Sequence, residues 1–72
     1  MLTDKEMLDW MQNIMTNDAD YCEIFFAGLR NGTGKANSFQ IESNPDKFET
    51  TGGENIREAI TNAMKNYFNK YL

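Results

Sequence analysis

The final segment constrains the fold more than any other part of the chain. Ile56, Ala59, Ile60, Ala63, Met64, Tyr67, Phe68 and Tyr71 recur at three- and four-residue spacing, so they share one side of a helix for about four turns at 3.6 residues per turn. Glu54 and Glu58 near its start and Lys65 and Lys70 near its end suit the helix dipole. An apolar stripe of this length has to be covered by another layer of structure, and 72 residues leave material for one such layer around one small core. A chain of that size buries only about 60% of the surface its unfolded form exposes. The single cysteine, Cys22, rules out an intrachain disulfide, so the core or a partner must supply the stability. We expect residues 1–72 to form one domain.

Upstream, Thr3-Asp4-Lys5-Glu6 has the T-x-x-E pattern of a capping box, which predicts a helix start. Met7, Leu8, Met11, Ile14 and Met15 continue it as an amphipathic helix, with Trp10 at the border of the apolar face. An end is expected near Asn17, a residue that tolerates a left-handed cap. Residues 21–29, YCEIFFAGL, are rich in aromatic and branched side chains and lead to Asn31-Gly32, a favoured hairpin-turn pair, with a second strand over residues 36–43.

Parity restricts the hairpin register. A two-residue loop pairs Ile24 with Phe39 and Cys22 with Ile41, and a four-residue loop pairs Phe26 with Phe39 and Ile24 with Ile41. Both keep one face apolar, whereas a three-residue loop turns the apolar residues of the second strand outward. The two-residue loop is preferred because it also keeps Glu23 away from Glu42. Asn44-Pro45-Asp46 is turn chemistry, and residues 47–50 are long enough for a short third strand. The expected fold class is α+β: helix, β-hairpin and long C-terminal helix, with both helices on the face of a small antiparallel sheet that carries Cys22, Ile24, Phe26, Phe39 and Ile41. The opposite face carries Tyr21, Glu23, Phe25, Ala27, Ser38, Gln40 and Glu42, and so small a sheet keeps open edges.

Eleven acidic and seven basic residues give a net charge of -4, which argues against duplex nucleic acid, whose non-specific affinity comes from clustered Lys and Arg. With no His and one Cys, neither the usual zinc spacings nor a Ser-His or Cys-His couple can be built within the chain. Residues 1–10 lack the basic flank and apolar run of a secretory leader, and no stretch approaches the roughly 18 apolar residues of a membrane span. We therefore expect a cytoplasmic protein with no catalytic residues, no metal and no cofactor.

Four local patterns invite a chemical reading. Gly32-Thr33-Gly34-Lys35 resembles the end of a phosphate-binding loop, but Leu29 stands where the first Gly belongs, Ala36 follows the Lys, and a strand rather than a helix comes next. A hairpin turn explains it better. Asn17-Asp18-Ala19-Asp20 with Glu23 offers oxygens but lacks the Gly and distal Glu of a calcium loop, and reads as a solvated connector. Cys22 lies on the core face, where a thiol is inert. Thr51-Gly52-Gly53-Glu54 before the last helix is either a second capping box or, with Arg57 one turn in, a site where backbone amides and a guanidinium hold an anion such as a nucleotide phosphate. Glu54 and Glu58 put negative charge beside such a site, so capping is the preferred reading.

In style the whole chain resembles the small accessory proteins with which bacteriophages block bacterial defence systems, some anti-CRISPR proteins among them. The likeness rests on size, acidity, the segment order helix-hairpin-helix, and the abundance of asparagine: Asn13, Asn17, Asn31, Asn37, Asn44, Asn55, Asn62, Asn66 and Asn69. The resemblance implies action in the host-cell cytoplasm, either by occupying a surface of a host protein or by sequestering a nucleotide signal as an oligomer. The first expectation is a non-enzymatic binding protein whose contact residues are Tyr21, Glu23, Phe25 and Ala27. The alternative is a homo-oligomer, a dimer or higher, that binds a small anionic ligand through Thr51, Gly52, Gly53 and Arg57.

Overall fold

The computed structural model describes residues 2–19, 21–30, 32 and 34–71, and of Tyr71 the backbone alone. The order is α1 (Asp4–Thr16), β1 (Glu23–Leu29), β2 (Ser38–Asn44), β3 (Thr51–Gly53) and α2 (Ile56–Tyr71). The strands form one antiparallel sheet in the order β1-β2-β3, and the helices pack on it, an α+β fold.

Helix α1 starts as its sequence demands. Thr3 Oγ1 accepts from the Glu6 amide and Glu6 Oε1 accepts from the Thr3 amide, both at 3.1 Å. The helix stops at Asn17, but with extended rather than left-handed backbone (φ -79°, ψ 119°). The Asn17 side chain turns the chain instead, its Oδ1 accepting from the Ala19 amide at 2.9 Å. Asp20, the other carboxylate of that connector, lies outside the described residues.

The hairpin keeps the expected parity in a longer register. Phe26 faces Ile41, Gly28 faces Phe39, Ile24 faces Ser43, and Leu29 faces Ser38, which leaves residues 30–37 as the connection in place of a two-residue loop. Every pair is shifted by an even step from the expected ones, so no side chain changes face. Glu23 lies opposite Asn44, which separates it from Glu42 as the charge argument required. Gly32 takes φ +75°, a left-handed value that glycine adopts without strain, while Asn31 of the turn pair lies outside the described residues.

The third strand is not at residues 47–50. It lies at Thr51–Gly53, with Gly52 opposite Gln40 and Gly53 opposite Phe39. Gly53 lets α2 lie directly on the sheet: a Cβ there would stand 2.7 Å from the Glu58 side chain and 2.9 Å from the Ala59 amide nitrogen, while one on Gly52 would stand 2.9 Å from the Phe39 carbonyl oxygen of β2. Helix α2 therefore begins later than the Thr51-Glu54 pattern suggested. Its cap is Asn55, whose Oδ1 accepts from the Glu58 amide at 2.8 Å.

One core joins the layers. Met7, Trp10, Met11 and Ile14 of α1 meet Ala59, Ile60, Ala63, Met64 and Tyr67 of α2 over Cys22, Ile41 and Phe48. Trp10 is inside rather than at the border, with its ring 5.6 Å from Phe48 and edge-on to Tyr67 at 5.7 Å. Phe48 reaches the core from the connection after β2, which is held by bonds from the Lys47 amide to Ser43 Oγ (2.9 Å) and from the Glu49 amide to Asn66 Oδ1 (2.6 Å). Cys22 is fully buried, its amide donating to the Ile14 carbonyl at 3.3 Å.

Coverage of the sheet is uneven. Helix α2 lies over β3 and β2, while α1 packs on α2 and meets β1 near Cys22. Ile24 and Phe39 are consequently part-buried against the core, but Phe26, expected inside, is 47% exposed because β1 runs past the helical layer. Leu8, Met15, Ile56 and Phe68, assigned to apolar stripes, are exposed as well, since each helix contacts the rest of the protein over a narrower arc than its apolar residues span. No helix among the described residues is long and apolar enough to cross a membrane.

Candidate interaction surface on strand β1

Strand β1 is an edge strand, and its side chains alternate between the two faces of the sheet. Glu23, Phe25, Ala27 and Leu29 share the face away from the helices, opposite Asn44, Glu42, Gln40 and Ser38 of β2. Phe25 is 46% and Leu29 47% exposed, and Tyr21 just before the strand is 52% exposed. With Phe26 on the other face, four large apolar side chains protrude within nine residues of chain, residues 21–29. Scattered exposed apolar residues are ordinary on protein surfaces, but several close together on a strand with one open edge are a binding feature.

Three of the four expected contact residues, Glu23, Phe25 and Ala27, are thus on one face of one strand. Leu29 joins them and was missed, although the same parity would have included it. Phe26 was missed because its position outside the helical layer depends on where the helices sit, which the strand's own residues do not determine. The carboxylates of Glu23 and Glu42 border the apolar row.

The other expected site is divided. Thr51, Gly52 and Gly53 line a shallow groove of about 410 Å3 together with Glu54 and Glu58. Arg57 lines a different one, an apolar cleft of about 290 Å3 between the two helix starts with Met7, Leu8, Ile56 and Ile60. Its fork is occupied: Nε and Nη2 donate to Asp4 Oδ1 and Oδ2 at 2.7 and 2.9 Å. The Gly52 carbonyl accepts from Asn62 Nδ2 at 2.8 Å, so β3 is bonded to α2 on the side that faces the groove's helix. Close packing accounts for the two glycines without a ligand.

The Asp4-Arg57 pair joins the first turns of two helices far apart in sequence. The guanidinium hydrogen bonds, with the guanidinium charge behind them, hold the Asp4 carboxyl below the usual carboxylate range. A depressed folded-state pKa contributes stability above the unfolded value and loses it as the pH falls through the folded one. Arg57→Ala should therefore return the Asp4 titration, followed by its carboxyl carbon shift, to the ordinary range. It should destabilise the protein slightly at neutral pH and not at all in strong acid, the difference shrinking in high salt because both side chains are exposed. An equal loss at both pH values would show that Arg57 acts through packing instead.

Several asparagines behind the phage-protein likeness have structural work: Asn55 caps α2, Asn62 and Asn66 fasten β3 and the preceding connection to it, and Asn17 makes the turn after α1. In comparisons with protein-family models, curated proteins and solved structures, nothing matches the chain.

Proposed function

We propose that this is a non-enzymatic binding protein that acts by occupying the surface of a partner protein, with Tyr21, Glu23, Phe25, Ala27 and Leu29 as the contact face. The observation that carries the reading is the row of half-exposed aromatic and aliphatic side chains on one face of an edge strand. Aromatic side chains with adjacent small ones suit such a face, because large residues anchor contacts at modest entropic cost. Glu23 and Glu42 at its border favour a partner with an apolar groove and a basic rim. The absence of histidine and the burial of Cys22 leave little for nucleophilic catalysis. Size, acidity and segment order support a bacteriophage accessory role, in which the partner is a bacterial defence protein and the setting is the host-cell cytoplasm. Sequestration of a nucleotide has less support, since Arg57 is engaged by Asp4 and lies apart from Gly52 and Gly53.

A photo-crosslinking residue at position 25, introduced in the expressing host cell, should give one reproducible protein adduct that a crosslinker on the exposed outer side of α1 at position 8 does not. The pair Tyr21→Ala and Phe25→Ala should weaken binding of that protein by more than about tenfold, given about 1 kcal/mol or more per anchoring aromatic. The circular dichroism spectrum should stay unchanged. Identical adducts from positions 25 and 8, or unaltered binding in the double variant, would remove this face from consideration.

A further inference from the structure

The open edge of β1 has a chemistry of its own, separate from the face beside it. The Leu29 carbonyl accepts from the Asn37 amide at 2.9 Å and so points towards β2. In an antiparallel ladder, alternate residues turn both amide and carbonyl to the same side, so Ile24, Phe26 and Gly28 direct theirs to the open edge. Edge strands of monomers are usually blunted by a charge, a proline, a bulge or brevity. Residues 24–29, IFFAGL, have no charge and no proline, and the strand is seven residues long. The other edge strand, β3, is only three residues long and lies under α2.

The strand is also complementary to itself. Phe26 is the midpoint of Glu23–Leu29. Antiparallel pairing with a second copy about a two-fold axis at Phe26 sets Phe25 opposite Ala27, Ile24 opposite Gly28, and the two Phe26 residues opposite each other. Phe25 and Ile24 thereby each meet a small residue, and on the axis two aromatic rings can pack as a cross-strand pair. The charges that bracket the uncharged run have opposite sign: Glu23 of one copy comes opposite Leu29 of the other, one residue from its Arg30. The two Glu23 residues stand roughly 20 Å apart, six steps of about 3.4 Å along the strands.

We propose that β1 pairs with β1 of a second copy in this register, making a homodimer with a continuous six-stranded sheet. The pairing leaves Tyr21, Phe25 and Leu29 of both copies on one outer face, so the dimer presents the partner face twice. It does not depend on the partner reading: dimerisation uses the edge, and partner binding uses the face.

Sedimentation equilibrium of the wild-type chain over a range of concentrations should show a reversible monomer-dimer system. Phe26→Lys sets two ammonium groups on the axis and should abolish the dimer at concentrations where the wild type is dimeric, while Leu8→Lys, on the exposed side of α1, should leave it intact. Should Phe26→Lys fail to fold by circular dichroism, Phe26→Cys provides the second test. The dimer predicts an interchain disulfide at position 26 on mild oxidation, and Leu8→Cys should form none at the same rate. A wild-type monomer at every concentration, a dimer that survives Phe26→Lys, or no preferential cross-link at position 26 would overturn the proposal. So would a monomer whose edge gains protection only when a foreign protein is added, since that assigns the edge to another chain. Tyr21→Ala should weaken partner capture without touching the dimer, which keeps the two ideas separable.

Discussion

Phe48→Ala should remove a large share of the protein's stability. The side chain is 1% exposed, packs against Trp10, and is the largest of the fully buried ones. Truncating a buried Phe costs about 3–5 kcal/mol through lost transfer free energy and the cavity left behind. A 72-residue domain at about 0.05–0.15 kcal/mol per residue has only roughly 4–11 kcal/mol in total. Urea titration followed by circular dichroism should show a midpoint lowered by at least about a quarter of its wild-type value, or no transition at all. Phe25→Ala, an equal truncation at an exposed site, should shift it little. A shift below about 1 kcal/mol for Phe48→Ala would mean that the connection after β2 does not seal the core.

Gly53→Ala should also destabilise strongly, for a reason opposite to a cavity. The new methyl group would meet the Glu58 side chain at 2.7 Å and the Ala59 amide nitrogen at 2.9 Å, and the second contact is backbone that moves only if α2 lifts from the sheet. Overpacking of this kind costs about 1–3 kcal/mol. Elsewhere the same exchange stabilises by about 0.4–1 kcal/mol through the unfolded chain, so Gly34→Ala, with open space around the added carbon, is the matched control and should be neutral or slightly favourable. The comparison also separates two explanations of the glycine pair. If Gly53 were kept for a ligand, Gly53→Ala would abolish ligand binding while leaving the melting temperature nearly unchanged; the packing account expects a drop of several degrees.

The helices and the side-chain parity of the hairpin were legible because each depends on local spacing. Thr3 and Glu6 define the first helix start within four residues, and any even shift of the hairpin keeps Cys22, Ile24 and Ile41 on one face. The absolute register was not legible, since parity is blind to the four-residue shift that moves the partner of Ile24 from Phe39 to Ser43, and the Asn31-Gly32 signal favoured a loop far shorter than residues 30–37. The third strand was misplaced for a related reason: Gly52 and Gly53 have low strand propensity, and what favours them here, the close approach of α2 to Gly53 and of the Phe39 carbonyl to Gly52, arises only in three dimensions. Phe48 followed a turn signal and carried no periodicity to mark it as core. On the candidate surface, Phe25 and Ala27 were readable from alternation. Phe26 was not, because its exposure is a property of the helical layer and not of the strand.

The central claim is that β1 keeps an open edge over its uncharged residues 24–29, and residue-resolved amide hydrogen exchange across a dilution series tests it most directly. At low concentration the amides of Ile24, Phe26 and Gly28 should exchange rapidly while those of Phe25 and Ala27, turned towards β2, are protected. Raising the concentration should slow the first three and leave the others unchanged. Uniform protection along β1 at every dilution, or an alternation of the opposite phase, would contradict the account.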